Sequence, residues 1–378
     1  MPFSQQKFEH VPMLDLQRQY KTIKAEILAA IERVCASQQF VLGPEVAALE
    51  REVAAYTGAA SAVGCASGTD ALWLALAASG VKPGDSVVTS PFSFLASASA
   101  IVRAGATPVF ADIEPQGFNI DPHQLPGKMK GAKAMLPVHL YGQCADIDAL
   151  QPIADEFKAA IVEDAAQAIG AAWGDRKAGT LGAAAAFSFY PTKNLSAYGD
   201  AGLATAADPQ IAEHMRRLRN HGSSRRYLHE ELGWNARMDA IQGAVLRVKL
   251  AYIERWNQQR RERAATYDRL LKEAGLDGTA VTLPFRNPKA HHVFHQYVIR
   301  ARRRDELREF LNARKIGSEI YYPLPLHLQP CFAYLGYKTG SFPESERAAS
   351  EVLALPMFPE LSEEEQSWVV QSISDFYC

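Results

Sequence analysis

Residues 132–167 read AKAMLPVHLYGQCADIDALQPIADEFKAAIVEDAAQ. An apolar run, AKAMLPV, is followed by a helical pattern from Asp146 to Lys158 and by a second apolar run, AAIVEDA. Each run has the length of a strand buried on both faces, and the stretch between them has the length of a helix. The alternation continues in both directions. SAVGC (61–65), DSVVTS (85–90) and TPVFADI (107–113) lie upstream, and AAAFSF (184–189) and LATA (203–206) lie downstream. Helical patterns begin at Thr69-Asp70 and run from Phe94 to Ala104. This predicts an α/β fold, a mostly parallel, seven-stranded-type sheet with helices on both faces. In such sheets ligands sit beyond the carboxyl ends of the strands.

Two helices precede the sheet. The first, Tyr20–Ala36, places Ile23, Ile27, Ala30, Ile31 and Val34 at helical spacing, and the second opens after Gly43-Pro44. Residues 239–274 read as one long helix with Ile241, Val245, Val248, Tyr252 and Trp256 on one face. It leads into a smaller C-terminal α+β unit. There HHVFHQYVIR (291–300) is a strand, Arg304–Ala313 a helix, and the proline-rich IYYPLPLHLQP (320–330) an irregular loop. The division expected is a large domain over 1–250 and a small one over 251–378, in keeping with 378 residues at roughly 150 per domain.

Composition narrows the function. Apolar residues make up 48% and charged residues 22%, with 40 basic against 42 acidic side chains, a net charge of −2. That balance argues against affinity drawn from bulk phosphate neutralisation, so no nucleic-acid partner is expected. No run approaches the roughly 18 apolar residues that span a bilayer, and MPFSQQKFEHVPMLDL lacks a signal-peptide core. Cys35, Cys65, Cys144, Cys331 and Cys378 are scattered and odd in number. They predict neither a disulfide framework nor a zinc site. A reduced, cytoplasmic protein without a membrane partner follows.

Three strand ends carry chemistry. FSFYPTKNLSAYGDAG (187–202) delivers a single lysine, Lys193, out of a strand into a proline-, serine- and glycine-rich stretch. An arbitrary lysine is a surface lysine; a lysine held in fixed geometry can condense with an aldehyde. AIVEDAAQ (160–167) ends a strand in two carboxylates, with an amide three residues beyond the second. Taken alone, Asp164 is an acid at a helix start. Beside a pyridine ring, a buried aspartate keeps the ring nitrogen protonated, and Gln167 can donate to the ring's phenolic oxygen. GCASGTDAL (64–72) turns from a strand through small residues into a helix, which is an ordinary capped start or an anion cradle. An anion cradle, an acid for a pyridinium and a lysine for an aldehyde are together the three handles on pyridoxal 5′-phosphate.

These segments resemble the DegT-type nucleotide-sugar aminotransferases, pyridoxal-phosphate enzymes of fold type I, the aspartate aminotransferase-like class. The resemblance runs through FVLGPEVAALE, ASGTDAL, SPFSFLASASAI, PVFADIEPQGFNIDP, PVHLYGQCADIDAL, VEDAAQAIGA, FSFYPTKNL, GWNARMDAIQGAVL and YYPLPLHLQP, in order over nearly the whole chain. It implies that Lys193 is the Schiff-base lysine and that Asp164 and Gln167 meet the ring nitrogen and ring oxygen. It further implies that Gly68, Thr69 and Ser188 hold the phosphate, that Phe94 stacks on the ring, and that Asn235 reaches the phosphate of the other subunit. A homodimer with shared active sites follows from that last assignment. Arg237, Tyr321, Tyr322 and His327 fall at substrate-facing positions. The implied reaction moves an amino group from an amino acid, glutamate, through pyridoxamine phosphate to a keto group on a nucleotide-linked sugar. RRYLHEELGWNARMDAIQ (225–242) resembles the branch acting on 3-oxo sugars more than the 4-oxo branch; a 4-oxo sugar or a cyclitol stays as the alternative. Ser196 and Ala201 stand where the family often has glycine, which is unwelcome wherever φ is positive.

Other clusters read more plainly. His291, His292 and His295 fall on different faces of a strand with no acid or cysteine close by, so no metal site is expected. Arg216, Arg217 and Arg219 read as a solvated helix face, and Arg302-Arg303-Arg304 as plain surface. Arg225, Arg226 and Arg237 sit in or after a glycine-serine loop that the resemblance places near the substrate, whose pyrophosphate would suit arginine forks. A dehydratase of this kind replaces the lysine with histidine. A non-catalytic regulator would lose it or add a basic or helix-turn-helix segment, and the sequence does neither.

Overall fold

The seven apolar runs become the seven strands of one sheet in the computed structural model, which describes residues 8–378. Residues 1–7, assigned above to the large domain, lie outside the described residues. The strands are β1 (Ser61–Cys65), β2 (Ser86–Thr89), β3 (Thr107–Phe110), β4 (Ala134–Leu136), β5 (Ala160–Asp164), β6 (Ala184–Ser188) and β7 (Gly202–Ala206). Their order across the sheet is β1-β7-β6-β5-β4-β2-β3. All neighbours are parallel except the two pairs that β7 makes, with β1 and with β6. An antiparallel pair needs no helical crossover. The chain can therefore return from β6 to β7 through an irregular loop, and that loop carries Lys193.

Helices α1 (Leu16–Ser37), α2 (Gly43–Thr57), α3 (Gly68–Ala78), α4 (Leu95–Arg103), α5 (Ile147–Phe157) and α6 (Pro209–Leu218) cover the sheet. Because side chains alternate along a strand, adjacent residues enter different cores. Ile161 and Phe187 pack with Ile27, Leu49 and Leu150, while Val162 and Ala186 pack with Leu72, Ile101 and Met215.

The long helix expected over 239–274 is two helices, α7 (Ala240–Leu250) and α8 (Ile253–Glu273). The chain turns at Ala251-Tyr252, where Tyr252 stacks on Trp256 at 5.6 Å and donates its hydroxyl to Glu26 (2.6 Å). The apolar spacing runs on across the turn, so periodicity alone hides it. Along α8, Ile253 and Trp256 belong to the core under the sheet, whereas Ala264, Tyr267 and Leu271 belong to a second core. That second core lies against the antiparallel sheet of β8 (Val281–Thr282), β9 (Tyr297–Ala301) and β10 (Val352–Leu355), with α9 (Arg304–Ala313), α10 (Pro343–Glu351) and α11 (Glu363–Tyr377). The strand expected over 291–300 is therefore shorter. His291 pairs with Ala172, and residues 292–296 turn through Phe294 (φ 45°) before β9 begins.

Two arginines read as solvated are buried. Arg219 donates to Glu50 (2.5 Å) and to the Gly64 carbonyl (2.6 Å), tying α6 to α2 and β1. Arg304 donates to the carbonyls of Ala349 (3.0 Å) and Val352 (2.8 Å), satisfying the end of α10. Among the described residues no helix is long and apolar enough to cross a membrane.

Candidate active site

Since β1 and β6 both run antiparallel to β7, their carboxyl ends and the start of β7 meet at one edge of the sheet, with Cys65 and Ser188 both opposite Gly202. From β1 the chain enters α3 at Ser67, whose hydroxyl oxygen accepts from the Asp70 N–H (3.0 Å). The N–H groups of Gly68 and Thr69 fall in the first turn, where no helical carbonyl reaches them. Packing around them is tight. A Cβ on Gly68 would come within 2.5 Å of Ser188 Cβ and 2.9 Å of its Oγ. One on Gly202 would overlap the Ser67 carbonyl oxygen and come within 2.6 Å of the Gly68 nitrogen. Three separate segments thus build one small concave cradle of free N–H groups and a hydroxyl, suited to a phosphate.

Gly202 had no role in the sequence reading; its only signal is its place beside Ala201 at the start of a strand. Gly202→Ala is expected to push the cradle open and weaken pyridoxal phosphate binding by about tenfold or more, on the scale of overpacking strain. Equilibrium dialysis measures this, with circular dichroism to confirm the fold; unchanged affinity would mean that phosphate does not bind here.

At the end of β5, alternation separates the two acids. Glu163 is wholly buried and accepts from the N–H groups of Gly179 (2.8 Å), Leu181 (2.7 Å) and Gly182 (2.9 Å). His139 Nδ1 accepts from the Ala145 N–H (3.1 Å), so its Nε2 carries the hydrogen and donates to Glu163 (3.0 Å). Glu163 is thereby spent on structure. Asp164 points the other way, buried, with Oδ2 accepting from the Ser97 hydroxyl (2.7 Å) and Oδ1 from the Ala166 N–H (3.2 Å). Its backbone is clamped to Pro137 and His139 (2.9 and 3.0 Å). Burial raises its pKa, opposed by these two donors and by the charge of Lys193.

Lys193 makes no side-chain hydrogen bond among the described residues. Burial brings its pKa down to about 8, against the pull of Asp164. A lowered lysine is a better nucleophile near neutral pH. The rate at which apoprotein captures pyridoxal phosphate is expected to rise with pH and level off above about 8, because the neutral amine is the reactive form. Stopped-flow absorbance measures this; a rate still climbing at pH 10 would show an unperturbed lysine.

Gln167 is oriented at both ends of its amide. Its Oε1 accepts from the Tyr141 N–H (2.7 Å) and its Nε2 donates to the Tyr322 hydroxyl (3.0 Å). Phe94 caps the start of α4 with 57% of its surface exposed, its ring 6.1 Å from that of Tyr322. Tyr322 therefore links Gln167 to Phe94, and the Tyr141 hydroxyl donates to the Tyr321 carbonyl. The cradle that a Cβ would fill, the buried carboxylate, the unpaired amine and the free aromatic face together fit pyridoxal 5′-phosphate.

The segment that carries Asn235 and Arg237 runs beside the end of β1, where Arg237 bridges Cys65 and the Ala236 carbonyl accepts from the Ala66 N–H (3.1 Å). Asn235 is exposed and accepts from Arg237 Nε (3.0 Å), while Arg237 also donates to Asn220 (3.4 Å). His327, expected to face substrate, is buried. Its Nε2 meets Glu346 (3.0 Å) and its ring packs edge-on against Phe342, fastening the proline-rich loop to α10. The three histidines weighed as a metal site have separate partners: His291 meets Arg261, His292 stacks on Phe294, and His295 meets Asn194.

The model of the DegT/DnrJ/EryC1/StrS aminotransferase family matches residues 21–374. The chain belongs to that family. It is 52% identical to a pleiotropic regulatory protein of Geobacillus stearothermophilus, covering 97% of this chain and 99% of that one. It is 43% identical to the dTDP-3-amino-3,4,6-trideoxy-alpha-D-glucose transaminase of Streptomyces venezuelae, covering 97% and 96%. Its fold matches the crystal structure of S. venezuelae DesV in complex with a ketimine intermediate with a TM-score of 0.94 at 43% identity, over 97% of this chain and 98% of that one. The DegT family is pyridoxal-phosphate dependent, and its fold is type I. The two departures from the family's glycines are accommodated here. Neither Ser196 nor Ala201 has a positive φ, and the Ser196 hydroxyl accepts from the buried Lys249 (2.9 Å).

Proposed function

We propose that this chain moves an amino group from glutamate to the 3-keto group of a nucleotide-linked sugar, in amino-sugar biosynthesis, as a cytoplasmic homodimer with shared active sites. The observation that carries the chemistry is Lys193, an amine with a lowered pKa that no side chain pairs, sharing a strand-end site with buried Asp164. When bound, pyridoxal phosphate supplies an aldehyde that condenses with amines and a cationic ring that draws electrons from the carbon beside the new bond. Gly68 and Thr69 N–H groups, with the Ser188 hydroxyl, hold its phosphate. Asp164 holds a proton on the ring nitrogen, Gln167 donates to the ring oxygen, and Phe94 covers one ring face. Lys193 Nζ would hold the aldehyde, and as a free amine it would accept the donor's α-proton and return it one carbon away. The same residues would serve the keto sugar in turn, so ping-pong kinetics are expected.

Support for the 3-keto assignment comes from residues 225–242 and from the 3-amino sugar in the name of the S. venezuelae relative. Arg237, oriented by two asparagines, suits the substrate's pyrophosphate. Support for the dimer comes from the loop beside Asn235, where Tyr227, Leu232 and Trp234 are exposed, Leu232 at 95%. The test is an absorbance spectrum of purified protein with cofactor, before and after glutamate, followed by 3-oxo and 4-oxo sugar nucleotides. A lysine-dependent visible band, bleached by glutamate and restored only by the 3-oxo sugar, is the expected result. Restoration by the 4-oxo sugar alone overturns the substrate assignment. Without any such band the enzyme reading fails, and a regulatory role of the kind named for the G. stearothermophilus relative takes its place.

A further inference from the structure

Asp164 is served by a hydrogen-bond chain that no step above uses. Ser97 Oγ lies 2.7 Å from Asp164 Oδ2, and Ser93 Oγ lies 2.8 Å from Ser97 Oγ. Both serines are buried, Ser97 completely. An ionised carboxylate only accepts, so Ser97 gives its one hydrogen to Asp164 and must itself accept from Ser93. The chain therefore has a direction, Ser93 to Ser97 to Asp164. Ser97 stands in the first turn of α4, three residues after the exposed ring of Phe94. One turn thus carries both the aromatic face offered to the cofactor and the donor behind the cofactor's acid. A buried carboxylate whose basicity burial has raised competes for any proton it shares. A donor on Oδ2 makes Asp164 less basic, which leaves the shared proton on the ring nitrogen.

We propose that Ser97 is a positioning residue that, with Ser93 behind it, keeps Asp164 anionic and so keeps the pyridine nitrogen of the bound cofactor protonated. The inference rests on the pyridoxal-phosphate reading of the site. It applies to both half-reactions, since each needs the ring as electron sink.

The experiment loads wild-type protein, Ser97→Ala, Ser97→Thr, Ser93→Ala and Asp164→Asn with pyridoxal phosphate labelled with nitrogen-15 in the ring. The ring-nitrogen chemical shift reports its protonation directly. Ser97→Ala is expected to move that resonance toward the unprotonated position, in the direction of Asp164→Asn, and to weaken cofactor binding by about tenfold, as loss of a hydrogen bond to a charged group does. Its kcat falls while KM for glutamate stays within about twofold, because the loss is felt only where the ring draws electrons. Ser97→Thr restores the wild-type resonance, and Ser93→Ala shifts it the same way by less. Should Ser97→Ala fail to fold, Ser93→Ala and Ser97→Thr still decide. A wild-type resonance in Ser97→Ala, or in Ser93→Ala when only that variant folds, while Asp164→Asn shifts it, overturns the inference. A wild-type protein that forms no lysine-dependent band overturns the cofactor reading instead, so the two failures are distinct.

Discussion

Lys193→Ala is expected to lower kcat for transamination by roughly 10⁴-fold, the upper range for a positioned acid–base group. The loss is large because, on the proposed reading, one amine holds three tasks: anchoring the aldehyde, taking the α-proton and returning it. His295, whose buried ring feels the charge of Lys193, is held far below its ordinary pKa by burial and has its Nδ1 engaged by Asn194, so it makes a poor substitute. The cradle and Asp164 do not depend on Lys193, so the variant should keep the cofactor without the covalent link. Lysine→arginine should fail as well, since guanidinium neither condenses nor releases a proton near neutrality. Single-turnover spectra, kcat and cofactor retention on a desalting column measure these effects. Residual kcat within about tenfold of wild type would remove Lys193 from the chemistry.

Asp164→Asn is expected to reduce kcat by roughly 10²- to 10⁴-fold while leaving the apoprotein at least as stable as wild type. The two effects separate because, on the proposed reading, the carboxylate serves the bound ring, whereas in the apoprotein its burial is a cost. Burial raises the folded pKa of Asp164 above its ordinary value, so the native state binds the proton more readily than the unfolded chain. Stability attributable to this group is then greatest below the unfolded carboxylate pKa and declines as pH rises through the raised folded value. The asparagine variant removes that slope. Apoprotein melting temperatures across pH 4–8, beside kcat of the loaded enzyme, provide the check. A variant that loses stability and activity together would mark Asp164 as structural.

Much of this site could be read along the chain, for local reasons. A strand end followed by a polar residue, a helix start rich in small residues and a lysine in a proline-serine stretch are features of a few consecutive residues. Lys193, Asp164, Gln167, Gly68, Thr69, Ser188 and Phe94 were all picked out that way or by the resemblance. Ser97 and Gly202 were not, though both lay inside quoted motifs. Ser97 meets Asp164 67 positions away, and nothing in SFLAS says which acid it will reach. Gly202 acts through the space it leaves beside Ser67, which exists only once β7 has paired with β1.

The burial of Arg219, Arg304 and His327 was hidden for the opposite reason. Charged and titratable residues are usually exposed, and each of these is buried only because a carboxylate or helix-end carbonyls from elsewhere meet it. By itself the sequence determined the seven strands, most of the helices between them and the placing of Asp164 and Lys193 at strand ends, since period and composition act over short stretches. Only the tertiary structure decided that β7 runs against its neighbours, that the helix at 239–274 breaks at Tyr252, and which serine stands behind Asp164. Those depend on partners far apart in the chain, whose pairing is set by packing and hydrogen-bond satisfaction in three dimensions.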